Sequence, residues 1–184
     1  LTNVDSKILH SRDKIAEAMN FLVDTGFNVV FLVVWNKAFT LYPSQLMGTT
    51  FGQEIDPLYK GRDPLAEVII EAQRVGLKVI PWFEYGFVSS YKQNGGLILS
   101  KKPEWIARER KGNLLVKNGF EWMNALDEEV QSFLIDLVLE VVRNYDIDGI
   151  QGDDRMPAFP SEGGYDEKTI GRYRQQFSCY PPQN

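Results

Sequence analysis

The chain has 184 residues, 43% of them hydrophobic and 24% charged, and a net charge of −5, an ordinary globular composition with length enough for a sizeable core. Its acidic excess is spread along the sequence without the lysine and arginine run that tracks a phosphate backbone, which argues against nucleic acid as a partner. The longest apolar run, Val29 to Trp35, is far short of the roughly 20 residues of a bilayer-spanning helix; with Cys179 and His10 the only residues of their types, an internal disulfide and a cysteine-built zinc site are excluded, and no GxSxG elbow accompanies His10 to suggest a Ser/His/Asp triad.

Leu1 follows neither an initiator methionine nor a charged and apolar leader, so the sequence reads as the interior of a longer chain whose signal peptide could lie upstream. Leu1 to Val4 reads as the end of a strand. Ser11 then caps a helix with Ile15, Met19 and Leu22 on its apolar stripe, and Gly26 falls where a left-handed helix end favours glycine. Asn28 to Trp35 is a strand. A second helix starts at Asp63 and Pro64, buries Leu65, Val68, Ile69 and Ala72, and ends at Gly76 ahead of the strand Leu77 to Glu84. Asp127 caps a third helix in which Val130, Phe133, Leu134, Leu137, Val138 and Val141 keep the period through Val142. Ile147 to Gln151 is the next strand, and Asp166 to Phe177 a fourth helix with Ile170, Tyr173 and Phe177 inward.

Four near-continuously aliphatic strands alternating with four helices predict an α/β fold with a parallel sheet and right-handed crossovers. A complete TIM (β/α)8-barrel takes around 250 residues, so residues 1–184 are expected to form a single partial domain, roughly the first four βα units and the N-terminal half of the barrel. An open, doubly wound sheet is the alternative, but no GxGxxG or GxxxxGK[ST] loop follows any strand. The connections entering the strands are short, whereas those leaving the second and third strands are far longer than usual. This places function at the C-terminal ends of the strands, the active-site face of barrel enzymes.

The residues at those ends are Asn3 and Asp5, Trp35 and Asn36, Trp82, Glu84 and Tyr85, and finally Gln151, Asp153, Asp154 and Arg155. Carboxylates, amides and aromatic rings suit carbohydrate, since rings stack on the apolar faces of sugars while amides and acids bind hydroxyls. The long loops add Phe39, Tyr42, Phe51, Tyr59, Phe87, Tyr91, Trp105 and Trp122; Tyr42 is assigned to substrate binding, and the alternative for each is packing of the loop onto the barrel. Glycoside hydrolysis uses two carboxyl groups, one protonating the leaving oxygen and one acting as nucleophile or base. Glu84, Asp153 and Asp154 are the catalytic candidates. Strand alternation puts Gly149, Gln151 and Asp153 on one face and Asp154 on the other, favouring Asp153. The alternatives are that Asp153 and Asp154 only end a strand, that Glu84 only orients its neighbours, or that a second catalytic carboxylate sits on a later strand.

The runs LTNVDS, GFNVVFLVVWNKAFTLYPS, GRDPLAEVIIEAQRVGLKVIPWFEYGF and YDIDGIQGDD, in this order over nearly the whole chain, resemble the N-terminal half of the glycosyl hydrolase-like 10 family of bacterial (β/α)8-barrel proteins, many of them secreted or attached to the envelope. The resemblance implies a hydrolase of glycosidic bonds in an extracellular or cell-envelope polysaccharide, peptidoglycan glycan strands among them, and a secreted or envelope location. It carries the family's WN onto Trp35 and Asn36, its PWFE glutamate onto Glu84 and its terminal acid pair onto Asp153 and Asp154. Two positions depart from the family. Gly152 stands where a larger, often aromatic residue is usual, and Arg155 stands where His or Tyr is more frequent; Arg155 could clamp one aspartate and favour its ionised form.

No cofactor and no metal is assigned. A divalent cation held by the hard oxygens of Asp153 and Asp154 is a minor alternative, and a non-catalytic carbohydrate-binding barrel with an aromatic cleft is the main rival to the hydrolase. A half-barrel exposes two strand edges and an apolar inner face, so self-association of the isolated chain is expected.

Overall fold

The computed structural model describes residues 1–153, 156 and 159–182. Leu1 lies beside the first strand: its N donates to Phe31 O (2.6 Å) and its O accepts from Val33 N (3.0 Å), the pattern of a parallel neighbour. Helix α1 (Arg12–Asp24) starts where Ser11 Oγ accepts from Lys14 N, and it buries Ile15 and Met19. Strand β1 (Val29–Asn36) turns back as the short β2 (Phe39–Thr40). Helix α2 (Gln45–Phe51) follows in the same connection, before α3 (Pro64–Val75), capped by Asp63 and burying Leu65, Val68, Ile69 and Ala72. Strand β3 (Lys78–Phe83) leads into a long excursion of β4 (Val88–Tyr91), α4 (Gly96–Lys101), β5 (Val116–Lys117) and β6 (Phe120–Trp122). Helix α5 (Glu128–Asn144), β7 (Gln151–Gly152) and α6 (Glu167–Phe177) complete the order.

The main sheet runs β2-β1-β3-β7, with β1, β3 and β7 parallel and β2 antiparallel on the same edge of β1 as Leu1. Sequential parallel strands with a helix after each make this a partial TIM barrel, as the alternating pattern predicts. The last strand is shorter than expected, because Asp148 takes over its ladder: Val79 N donates to Asp148 Oδ2 (2.8 Å) and Asp148 N to Val79 O (2.9 Å). Along β3, Val79, Pro81 and Phe83 are buried, whereas Ile80 and Trp82 lie half-open on the opposite, concave face. Gly149 sits beside Ile80 on that concave face, and Ile150 packs onto the core.

A β-bulge breaks this alternation in β1. Val33 pairs with Trp82 but Trp35 pairs with Phe83, so one extra residue is accommodated between them. Side chains beyond the bulge change face. Trp35 therefore joins the helix side with Phe83, edge-on to Phe133 of α5 at 6.1 Å, and Asn36 is delivered to the concave side.

The two long connections behave differently. That between β1 and α3 runs down the helix layer: Tyr42 Oη donates to Leu137 O (3.3 Å), Glu140 accepts from Ser44 Oγ (2.5 Å) and Leu46 N (3.1 Å), and Phe51 packs edge-on to Phe133 at 5.5 Å. The excursion after β3 folds into its own antiparallel sheet, β4-β6-β5. Its buried anchor is Glu121, 5% exposed, which accepts from Ser90 Oγ, Gln93 N (3.1 Å), Asn94 N (2.8 Å) and Gly95 N (2.7 Å). Burial alone would push this carboxyl up, but the Ser90 hydroxyl and the three backbone N–H groups outweigh it and hold it below the usual glutamate range.

The fourth helix departs from expectation. No residue of α6 is buried, and Phe177 is exposed. Polar contacts hold it instead, from Asn124 Nδ2 to Asp166 Oδ2 (2.9 Å), Lys168 Nζ to Asp127 Oδ2 (2.7 Å) and Arg172 to Leu126 O (2.9 Å). Its apolar stripe meets no core among the described residues.

Two outcomes are expected. Because the folded-state value of Glu121 is depressed, its contribution is full above the ordinary glutamate value of about pH 4.3 and is lost as pH falls through the lower folded value. Glu121→Gln should lower stability at neutral pH by about 1–3 kcal/mol and flatten the acid limb of a stability profile from urea unfolding. Separately, α5 carries an apolar groove of about 360 Å³ lined by Phe87, Leu134, Ile135, Val138, Leu139 and Met156. A polypeptide confined to residues 1–184 should therefore self-associate, and sedimentation as a stable monomer would count against this.

Candidate active site

At the C-terminal ends of the parallel strands, an amide bridges two elements. Asn36, 4% exposed, donates from Nδ2 to Glu84 Oε2 (2.7 Å) and to Asn3 Oδ1 (3.2 Å). Asn36 reaches this position through the bulge, and the turn that follows it is strained: Lys37 and Ala38 have φ of 51° and 67°, the left-handed pair of a tight hairpin occupied here by two residues other than glycine. Glu84 N donates to Trp35 O (3.2 Å), continuing the β1–β3 ladder one residue past the strand.

Asp153 enters from the next strand. Trp82 pairs with Gln151 and Phe83 with Gly152; extending this register by one residue sets Glu84 beside Asp153, on strands spaced about 4.8 Å apart. Both follow the concave-face alternation, Ile80–Trp82–Glu84 on one strand and Gly149–Gln151–Asp153 on the other. Asp153 O accepts from Met156 N (3.2 Å), closing a turn directly beyond the strand. A Cβ at Gly152 would stand 2.7 Å from Met156 Sδ, so the Met156 side chain fills the space next to Gly152.

The expected site residues divide clearly. Asn3, Asn36 and Glu84 are brought together, with Asp153 on the adjoining strand end. Trp82 is half-buried on the concave face, and its buried Nε1 has no acceptor among the described residues. Gln151 is exposed and donates to Gly152 O. Tyr85 is half-buried, its ring 5.2 Å from that of Phe120. Asp5 is exposed at the same end, but its carboxylate is occupied locally by Thr2 Oγ1 (2.9 Å). Asp154 and Arg155 lie outside the described residues.

Two assignments are corrected. Trp35 is fully buried, with Nε1 donating to Gly86 O (3.0 Å), because the bulge turns it from the concave face to the helix layer. Tyr42 is also fully buried, edge-on to Tyr145 at 5.8 Å; burial first, and the neighbouring Glu140 carboxylate second, push its phenol well above its ordinary value. Neither ring can meet a sugar. Conversely, the small sheet beside Glu84 was not anticipated, although Asn118–Gly119 followed by alternating Phe120 and Trp122 is a hairpin signal. Among the described residues, no group of three His, Cys, Asp or Glu side chains could hold a metal ion, and no helix is long and apolar enough to cross a membrane.

The chain is similar to several known proteins. The family model described as Glycosyl hydrolase-like 10 matches residues 1–184. The glycosyl hydrolase DigH of Escherichia coli K12 is 26% identical over 190 residues, covering 97% of this chain but 42% of that protein, so the chain spans under half the length of this curated relative. A hypothetical protein from Ruminiclostridium thermocellum superposes with a TM-score of 0.67 at 18% identity, covering 96% of this chain and 91% of that one. Alpha-L-fucosidase isoenzyme 2 from Paenibacillus thiaminolyticus superposes with a TM-score of 0.66 at 23% identity, over 95% of this chain and 24% of the fucosidase. An exo β-N-acetylglucosaminidase from Vibrio harveyi gives 0.60 at 12% identity, over 94% and 29%. These likenesses show a fold shared with glycosidase barrels.

The burial of Trp35 makes a sharp expectation. Trp35→Ala should lower folding stability by about 3–5 kcal/mol in thermal or urea unfolding. Tyr42→Phe should lower it by about 1 kcal/mol, the contribution of one hydrogen bond. Unchanged melting of Trp35→Ala, with weaker sugar binding, would restore the indole to the site.

Proposed function

The chain belongs to the glycosyl hydrolase-like 10 family, and we propose that the protein it forms part of hydrolyses glycosidic bonds with Glu84 and Asp153 as its acid and base pair. The observation that carries this reading is the Asn36–Glu84 hydrogen bond at the open end of the parallel strands, in register with Asp153 on the neighbouring strand. The reaction needs one carboxyl group to protonate the departing glycosidic oxygen and a second carboxylate to attack the anomeric carbon or to activate water. Asn36 fixes the direction of one Glu84 oxygen. The buried amide is itself held between Asn3 and Glu84, so the orientation is set before a sugar arrives.

Half-buried Trp82 on the concave face and Tyr85 next to Glu84 supply apolar surface for sugar rings. We take the substrate to be an extracellular or envelope polysaccharide, with peptidoglycan glycan strands as the first to try, and the location to be secreted or envelope. The family resemblance supports both. Asp154 joins Asp153 as a candidate on sequence grounds, and Arg155 as its neighbour.

In the full-length protein, Asp153→Asn should abolish release of reducing ends from a polysaccharide while the melting temperature stays near that of the wild type. Glu84→Gln should lower kcat severely while substrate binding is largely kept. Wild-type turnover in either variant would remove that residue from the chemistry. Binding without turnover by the unaltered protein would instead favour a carbohydrate-binding barrel.

A further inference from the structure

We infer that the small sheet after β3 presents a second sugar-binding surface, distal to Glu84 and built from Tyr91, Lys92 and Phe120, which takes a carboxylate-bearing stretch of glycan. The inference rests on the carbohydrate reading above and names a substrate class for it. Antiparallel partners share a face, so the pairings of Phe120 with Tyr91 and with Lys117 place all three side chains on one side of the sheet. The rings form a row: Tyr85, which directly follows Glu84, lies 5.2 Å from Phe120, and Phe120 lies 5.1 Å from Tyr91. The row leads away from the catalytic acid and ends at Tyr91, which is 38% exposed. Lys92 Nζ stands 5.1 Å from the centre of the Tyr91 ring.

The outer end of the row is held between two tight turns. Lys92, Asn94, Gly95 and Gly96 all have positive φ, as do Asn118 and Gly119 in the facing turn. Lys92 N donates to Gly119 O (3.0 Å), tying the two turns together. Gly119 lies so close under the tyrosine that a Cβ there would stand 2.7 Å from Tyr91 Cε2. The buried Glu121 carboxylate collects the N–H groups of Gln93, Asn94 and Gly95 directly after Lys92. Two turns tied to each other and secured by a buried charge hold the exposed tyrosine and lysine in position before a ligand arrives.

Charge selects the ligand. From Val88 to Trp122 the chain carries seven lysines and arginines against three glutamates, although the whole chain has a net charge of −5. Glu121 is enclosed, so it does not offset this at the surface. Among the described residues, no carboxylate lies within ion-pair distance of Lys92, whereas Lys117 on the same face is paired with Glu162 and Lys102 with Glu129. Apolar ring and ammonium side by side fit a sugar whose ring stacks while its carboxylate meets the lysine.

The test uses the full-length protein and measures binding without turnover, by retention in gels containing an acidic polysaccharide (polygalacturonate, hyaluronate or carboxylated peptidoglycan glycan) or a neutral β-glucan. Retention is expected on at least one acidic polymer and weaker retention on the neutral one. Tyr91→Ala should weaken acidic binding on the order of tenfold with unchanged melting, and Tyr91→Trp should restore it. Lys92→Gln should erase the preference for the acidic polymer while leaving neutral binding intact. Hydrolysis of a short aryl glycoside should be unaffected by all three substitutions. Equal retention on acidic and neutral polymers, no retention on any acidic polymer, or wild-type affinity in Tyr91→Ala and Lys92→Gln would each overturn the inference. A protein that hydrolyses nothing, yet loses acidic binding with Tyr91→Ala, would overturn the hydrolase reading and leave this surface standing.

Discussion

The β-bulge between Val33 and Trp35 decides what the rest of this half-barrel can do. In an unbroken strand Val29, Phe31, Val33 and Trp35 would share the concave face and Asn36 would turn to the helices. One extra residue reverses both. The indole moves into the layer where α5 packs, its N–H met by Gly86 O, and becomes part of the core that binds helix to sheet. The amide moves to the strand end, where Glu84 and Asn3 accept its two protons. A single backbone irregularity thus exchanges a core residue for a site residue, and the strained Lys37–Ala38 turn follows at once because the chain must reverse immediately beyond Asn36.

The long connections also divide their labour on physical grounds. The one after β1 is apolar where it meets α5, through Tyr42, Met47 and Phe51, and so it is drawn into the helix layer and buried. The one after β3 is divided: Ile98, Leu99 and Trp105 join the same core, with Trp105 5.2 Å from Phe133 of α5, whereas its hairpin lies outside that layer. It satisfies its backbone by pairing with itself and by folding around Glu121. An enclosed carboxylate is favourable here only because Ser90 and three successive N–H groups replace the water it has lost. The first connection therefore packs into the barrel wall, and the second both packs on α5 through Trp105 and carries a small sheet beside the C-terminal strand ends.

Much of this was legible in the sequence. Amphipathic period and caps located α1, α3 and α5 with their buried residues, Gly26 and Gly76 took up the expected left-handed conformation, and the aliphatic strands gave a parallel sheet in sequential order. Asn36 and Glu84 were placed at the strand ends, where they meet. Trp35 and Tyr42 were misassigned because strand alternation carries no sign of a bulge, and because an aromatic residue in a long loop looks alike whether the loop covers the site or the core. Phe177 was assigned inward from helical spacing alone, but spacing identifies an apolar stripe without supplying its partner. The hairpin at Asn118–Gly119 was readable from turn chemistry, whereas the role of Glu121 was not, since one glutamate in a charged segment gives no hint that it will be enclosed.

Glu84 and Glu121 are two carboxylates on the same excursion with opposite surroundings. Glu121 meets four donors from its own loop, which leaves it no capacity for a ligand and makes it an element of architecture. Glu84 is held by an amide that arrives from a different strand and is itself half-open on the concave face. The contrast lies in the source of the hydrogen bonds: Glu121 is enclosed by its own loop, whereas Glu84 is met by a side chain from the neighbouring strand. Support from a neighbouring strand fixes the direction of the carboxylate, and Asn36 can give such support only because the bulge in β1 turned it inward.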